Sequence, residues 1–152
     1  MGTNNESLNI KEIVENSIRL FKNSDEAEVK FNNEINESTL VYADKDQLIR
    51  VFNNLIKNAI QSIPEGRKGM VEVWLTKRKK LVTVSVKDNG TGISDEVMDK
   101  IFVPNFTTKS TGMGLGLAMV KNIVEGCDGQ IWFETEENVG STFYVSLPEH
   151  GY

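Results

Sequence analysis

From Leu8 to Phe21, apolar residues recur three and four apart at Ile10, Ile13, Val14, Ile18 and Phe21, and this spacing predicts an amphipathic helix with one buried stripe. The period then changes. Val29, Phe31 and Ile35 alternate with polar residues, a turn-like Asn36-Glu37-Ser38 follows, and Leu40-Val41-Tyr42 resumes the apolar pattern, which predicts two short strands joined by a turn. Asp44 is placed to cap a longer helix running to about Ser62, with Leu48, Phe52, Leu55, Ala59 and Ile63 on one face. At about 100° per residue, Asn54, Asn58 and Gln61 fall in a narrow stripe on the other side. Asparagine competes for backbone hydrogen bonds and is seldom favoured inside a helix, so two of them four apart call for a reason.

Pro64-Glu65-Gly66 ends that helix, and residues 71–76 and 81–87 read as a hairpin across Lys77-Arg78-Lys79-Lys80, a charge run expected to be a solvated turn. A short helical turn near 95–101 leads into residues 103–113, which contain Pro104 and a run of threonines and read as a mobile loop. Helix resumes from about Gly114 to Val124, is ended by Gly126 and Gly129, and is followed by strands near 130–135 and 141–147 linked through Asn138 and Gly140. Strands and helices do not alternate strictly, which excludes a doubly wound fold. The expected class is α+β: a two-layer α/β sandwich with a mixed sheet of about five strands and three helices packed on one face.

A chain of 152 residues with 39% hydrophobic content supports one core and one domain. Its net charge of −5 argues against a nucleic-acid partner, which calls for a basic surface. With no run of about 18 apolar residues and a start, MGTNNES, that lacks the parts of a secretion signal, the expected setting is cytoplasmic, without direct membrane contact. Residues 1–7 are expected to be disordered or foreign to the domain, 8–148 to form it, and 149–152 to be a tail. The single cysteine, Cys127, reads as a small residue at a helix end, and the single histidine, His150, as part of a frayed terminus.

The chemistry concentrates in two runs. Val82, Val84, Val86 and Asp88 share strand parity, so the carboxylate points to the side that three valines mark as buried. A charge directed into an apolar layer is costly unless it meets donors, and the exocyclic amine of adenine with a neighbouring water supplies them, whereas guanine presents a repelling carbonyl. Asp88 opening an Asx turn is the competing reading, and generic turn chemistry equally explains Gly90 and Gly92. Some twenty residues on, Gly112, Gly114 and Gly116 are spaced by two. That is neither a dinucleotide fingerprint nor a P-loop, but it offers bare amides at a helix start, which suits a polyphosphate. Thr107, Thr108 and Lys109 sit just before it, placed to close over phosphates as a lid. Asn54 and Asn58 offer the neutral oxygens that magnesium accepts when phosphates balance its charge, although asparagines on a helix surface are common.

Asn54-Leu-Ile-Lys-Asn58-Ala, Asp88-Asn-Gly-Thr-Gly92, Phe102 through Phe106, and Gly112-Met113-Gly114-Leu115-Gly116-Leu117, in this order, resemble the ATP-binding catalytic domain of sensor histidine kinases. That domain belongs with gyrase, Hsp90 and MutL ATPase domains, and Gly140-Ser141-Thr142-Phe143 is similar to their closing strand. The resemblance implies a Bergerat-type ATP-binding fold in which Asp88 recognises adenine, Asn58 binds Mg²⁺, Asn54 lies near the phosphates and Gly112 to Leu117 hold them, with Ile93 and Thr142 as further ATP-binding positions. The Phe-x-Pro-x-Phe-Thr-Thr-Lys wording resembles the nitrogen-regulator type of lid. Gln61 stands where the family often has a basic residue. The family's hydrolases place a glutamate base four residues before the magnesium asparagine, and here that position is Asn54, an amide that cannot take a proton from water. The resemblance therefore implies a protein-histidine kinase that passes the γ-phosphoryl group of ATP to a histidine on a separate dimerisation domain absent from this chain, with a response regulator as indirect partner. It leaves open whether the parent protein is anchored in the inner membrane, and whether the chain is instead an ATP-driven conformational switch or a degenerate binding domain.

Overall fold

The structure, a computed structural model, describes residues 4–36, 38–104 and 116–151. Along the chain these form β1 (Asn5–Asn9), α1 (Ile10–Phe21), β2 (Ala27–Asn33), β3 (Leu40–Asp44), α2 (Lys45–Gln61), β4 (Gly69–Arg78), β5 (Leu81–Asp88), the short α3 (Asp95–Met98), α4 (Leu117–Gly126), β6 (Gln130–Glu136) and β7 (Gly140–His150). The class is the α+β sandwich the pattern predicts, but the sheet of the described residues has seven strands rather than about five. Its order is β1-β3-β7-β5-β4-β2, with β6 on β7; β2 runs parallel to β4 and the other pairs are antiparallel.

Apolar alternation builds the inner sheet face. Val71, Val73 and Leu75 of β4, Val82, Val84 and Val86 of β5, and Val145 and Leu147 of β7 are all 2% exposed or less. Against them α1 turns Ile10, Ile13, Val14 and Ile18, capped by Asn9 through its bond from the Glu12 amide, and α2 turns a wide stripe that includes Leu48, Val51, Phe52, Leu55 and Ile56. The Asp44 carboxylate caps α2 by accepting from the Gln47 amide, as predicted. No helix of the described residues is long and apolar enough to cross a membrane.

Three further expectations are corrected, and one element is placed differently than its neighbours in sequence suggest. The segment before Leu8 begins a strand at Asn5; it is polar and mostly exposed, and it is held by backbone pairing with β3 rather than by an apolar pattern. The two short strands that the pattern predicts are present as β2 and β3 but do not pair with each other: β2 pairs with β4, while β3 pairs with β1 and β7 on the opposite side of the sheet. His150 is no frayed tail, since it pairs with Leu40 and its ring lies 4.8 Å from that of Tyr42. Asn58 does not share a solvent stripe with exposed Gln61; it is buried, 4% exposed, at the edge of the apolar face of α2.

Candidate functional site

Asp88 ends β5 on the inner face, in line with Val82, Val84 and Val86, and is 7% exposed. Its Oδ1 accepts from the Gly90 amide at 2.8 Å and the Ser141 amide at 3.2 Å, and the Ser62 side chain at the end of α2 is a further hydrogen-bond partner. Burial raises the carboxyl above its ordinary pKa, while these hydrogen bonds pull it down. An acid held where its charge is costly serves recognition or chemistry better than stability.

The loop after Asp88 is tied on both sides. The Asn89 side chain accepts from the Met70 amide at 2.8 Å and donates to the Lys68 carbonyl at 2.9 Å. The Thr91 amide donates to the Ser62 carbonyl at 3.0 Å, and the Asn138 amide in the β6–β7 turn donates to the Thr91 carbonyl at 2.7 Å. Gly90 lies so close to Ser62 that a Cβ there would meet its Oγ at 2.1 Å. Asp88 therefore serves as a turn residue and as a buried acid at once; the two readings of it are not exclusive.

Beside the acid is a narrow pocket with a free volume of about 10 Å³. The helix α2 supplies Leu55, Asn58, Ala59 and Ser62, the β5 loop supplies Asp88, Gly92 and Ile93, and β7 supplies Ser141 and Phe143. Mostly apolar walls with a carboxylate on the floor suit a flat ring that donates from its edge. Adjoining this pocket, the Asn58 Nδ2 donates to Asn54 Oδ1 at 2.9 Å, an i, i+4 pair of amides on α2. Gly116, the N-cap of α4 with a φ of 108°, packs against the first of these: a Cβ there would stand 2.4 Å from Asn54 Nδ2. The start of α4, which has no side-chain cap, thus lies beside Asn54, and buried Leu117 anchors its first turn in the core.

The structure brings together Asn54, Asn58, Asp88, Gly90, Gly92, Ile93 and Gly116, while Leu117 is buried in the core. Thr107, Thr108, Lys109, Gly112, Met113, Gly114 and Leu115 lie outside the described residues. Thr142 does not line the pocket. It pairs with Lys87 and Glu134, and strand alternation sets it opposite the neighbours Ser141 and Phe143 that do. Sequence reasoning missed Ser62, Ser141 and Phe143. The signal for Ser62 was its place four residues after Asn58, and for the β7 pair the same parity as buried Val145 and Leu147.

A family model described as Histidine kinase-, DNA gyrase B-, and HSP90-like ATPase matches residues 43–151. Sensor histidine kinase ZraS of Escherichia coli strain K12 is 39% identical over 148 residues, which cover 94% of this chain and 31% of that protein, so the chain spans about a third of that relative's length. Among solved structures, the nucleotide-free catalytic domain of histidine kinase ThkA matches with a TM-score of 0.83 at 32% identity, covering 97% of both chains. The structure of ThkA in complex with response regulator protein TrrA matches with a TM-score of 0.78 at 31% identity, covering 96% of this chain and 42% of that one. The chain therefore belongs to the histidine kinase-, DNA gyrase B- and HSP90-like ATPase family, as an ATP-binding catalytic domain of the histidine kinase type.

Proposed function

We propose that this chain binds Mg-ATP and presents the γ-phosphoryl group to a histidine on a separate dimerisation domain of a two-component sensor kinase. The observation that carries this reading is the buried Asp88 carboxylate at the floor of an apolar pocket, beside the Asn54–Asn58 pair and the start of α4. In it, Asp88 takes a hydrogen bond from the adenine amine, Leu55, Ile93 and Phe143 enclose the ring, and the phosphates run toward Gly116 and the start of α4. The uncapped positive end of α4 favours their charge.

The donor set fits magnesium. The Asn58–Asn54 bond uses an Asn58 N–H and directs the Asn58 carboxamide, whose neutral oxygen is of the type that magnesium takes while keeping most of its charge balance on phosphates. Magnesium, when bound, neutralises phosphate charge as it shifts during transfer. Asn58→Ala is expected to abolish the magnesium dependence of ATP-analogue binding in calorimetry. A variant as sensitive to magnesium as the parent removes Asn58 from the metal site.

Catalysis in this reading is positioning and charge neutralisation, with the nucleophile supplied by the partner domain. The family's other mode, a conformational switch driven by hydrolysis, needs a base at Asn54, and there an amide oxygen accepts from Asn58 instead. The isolated chain is therefore expected to bind ATP yet hydrolyse it at a rate near the enzyme-free control. Several turnovers per minute in a phosphate-release assay would favour the switch. The same reading makes a response regulator the indirect recipient, and places the domain on the cytoplasmic side of any membrane the parent crosses, where ATP is available.

A further inference from the structure

Arg67 follows Gly66 in the turn between α2 and β4, and its Nη1 donates to two carbonyls of the purine-side loop, Asn89 at 2.8 Å and Gly90 at 2.9 Å. The Asn89 carbonyl and the Gly90 N–H belong to one peptide group. That N–H donates to Asp88 Oδ1 at 2.8 Å. A guanidinium, a peptide dipole and a buried carboxylate therefore stand in one line of hydrogen bonds, with the cation at the carbonyl end and the anion at the N–H end. A cation on a peptide oxygen draws density from its nitrogen and makes the N–H a stronger donor.

We propose that Arg67 is a positioning residue for the nucleotide site, acting through the Asn89–Gly90 peptide to aim and strengthen the amide that holds the Asp88 carboxylate toward the purine. This rests on the reading of Asp88 as the base-recognising acid. The path of the loop does not need Arg67, because the Asn89 side chain, the Thr91–Ser62 bond and the Asn138–Thr91 bond already pin it. The side chain is exposed, so it adds little burial to folding. What it adds is a positive charge at the one peptide that touches Asp88 from within the loop. The β4 start reaches the same loop with Met70 and Lys68 through backbone groups only, bonded to Asn89.

The test compares Arg67→Met, close in length and uncharged, with Arg67→Lys, which keeps a cation and its donors, in the whole 152-residue chain. In the ligand-free, ¹⁵N-labelled protein the Gly90 amide proton is expected to move upfield in Arg67→Met and to stay near its parent position in Arg67→Lys. In calorimetry with ADP, Arg67→Met is expected to bind about tenfold more weakly, and Arg67→Lys within about threefold of the parent, at similar urea midpoints. An unmoved Gly90 resonance in Arg67→Met, undiminished ADP affinity in that variant, or an equal loss in both variants overturns the proposal. A parent chain that binds no ADP sinks the nucleotide reading itself. A parent that binds ADP beside an Arg67→Met variant that binds equally well sinks only the role of Arg67.

Discussion

Asp88→Asn is expected to weaken ADP binding by about ten- to more than a hundredfold, on the order of 1.5–3 kcal/mol, without a matching loss of stability. The asparagine oxygen can keep accepting from the Gly90 and Ser141 amides, so the loop keeps its anchor. Its NH₂ then meets the donating edge of the purine where an acceptor stood, and two donors repel. Stability follows a different rule. Burial is the leading cause of the raised Asp88 pKa, so the folded state holds that proton more tightly than the unfolded chain, whose carboxyl titrates in the ordinary carboxylate range. The contribution of Asp88 to stability is thus greatest below the unfolded value and falls as pH rises through the folded one. An asparagine escapes that fall. At neutral pH the variant is expected to have a urea midpoint equal to or above the parent's, and the advantage should fade as the solution is acidified through the folded pKa. Binding lost while stability is kept separates recognition from unfolding; unchanged ADP affinity would remove Asp88 from the base site.

How much of this was legible beforehand depended on whether a residue's role is carried by a local period. Asp88 could be read because three valines at spacing two declare which side of β5 is buried, and a charge of the same parity then has one place to go. The two asparagines could be noticed but not placed. The apolar face of α2 is so wide, from Val51 and Leu55 round to Ile56 and Ile60, that Asn58 lies on its margin, where a wheel drawn around five apolar residues sees solvent. The strand β1 has one buried residue in five and exists through its bonds to β3, a long-range fact that no window of sequence contains. The same holds for β2, which leaves β3 to lie parallel to β4, and for Arg67, whose two carbonyl partners stand 22 and 23 positions away. Thr142 misses the pocket lining by one residue, and in a strand one residue changes faces.

Gly140→Ala is expected to cost about 2–6 kcal/mol of stability, because two independent penalties fall on one added methyl group. Gly140 has a φ of +143°, outside the range that side-chain-bearing residues readily adopt, at a cost of about 1–3 kcal/mol. The methyl would also stand 2.0 Å from the Asp88 carbonyl oxygen and 3.0 Å from the Asn89 Cα, and overpacking of this kind costs about 1–3 kcal/mol. Both obstacles are backbone, so no side chain can rotate aside. Relief must come from moving the start of β7 away from the end of β5, and the next residue, Ser141, is the one whose amide holds Asp88 Oδ1 at 3.2 Å. The damage should therefore reach the pocket: ADP affinity is expected to fall together with the urea midpoint, unlike in Asp88→Asn. Gly126→Ala is the control. That glycine closes α4 with ordinary φ and nothing within 4 Å of an added Cβ, so alanine there should be neutral or stabilising by up to about 1 kcal/mol, with ADP binding unchanged. Equal midpoints for the two variants would mean that the approach of β7 to the Asp88 backbone is looser than these distances state, and the coupling between that strand start and the acid would have to be abandoned.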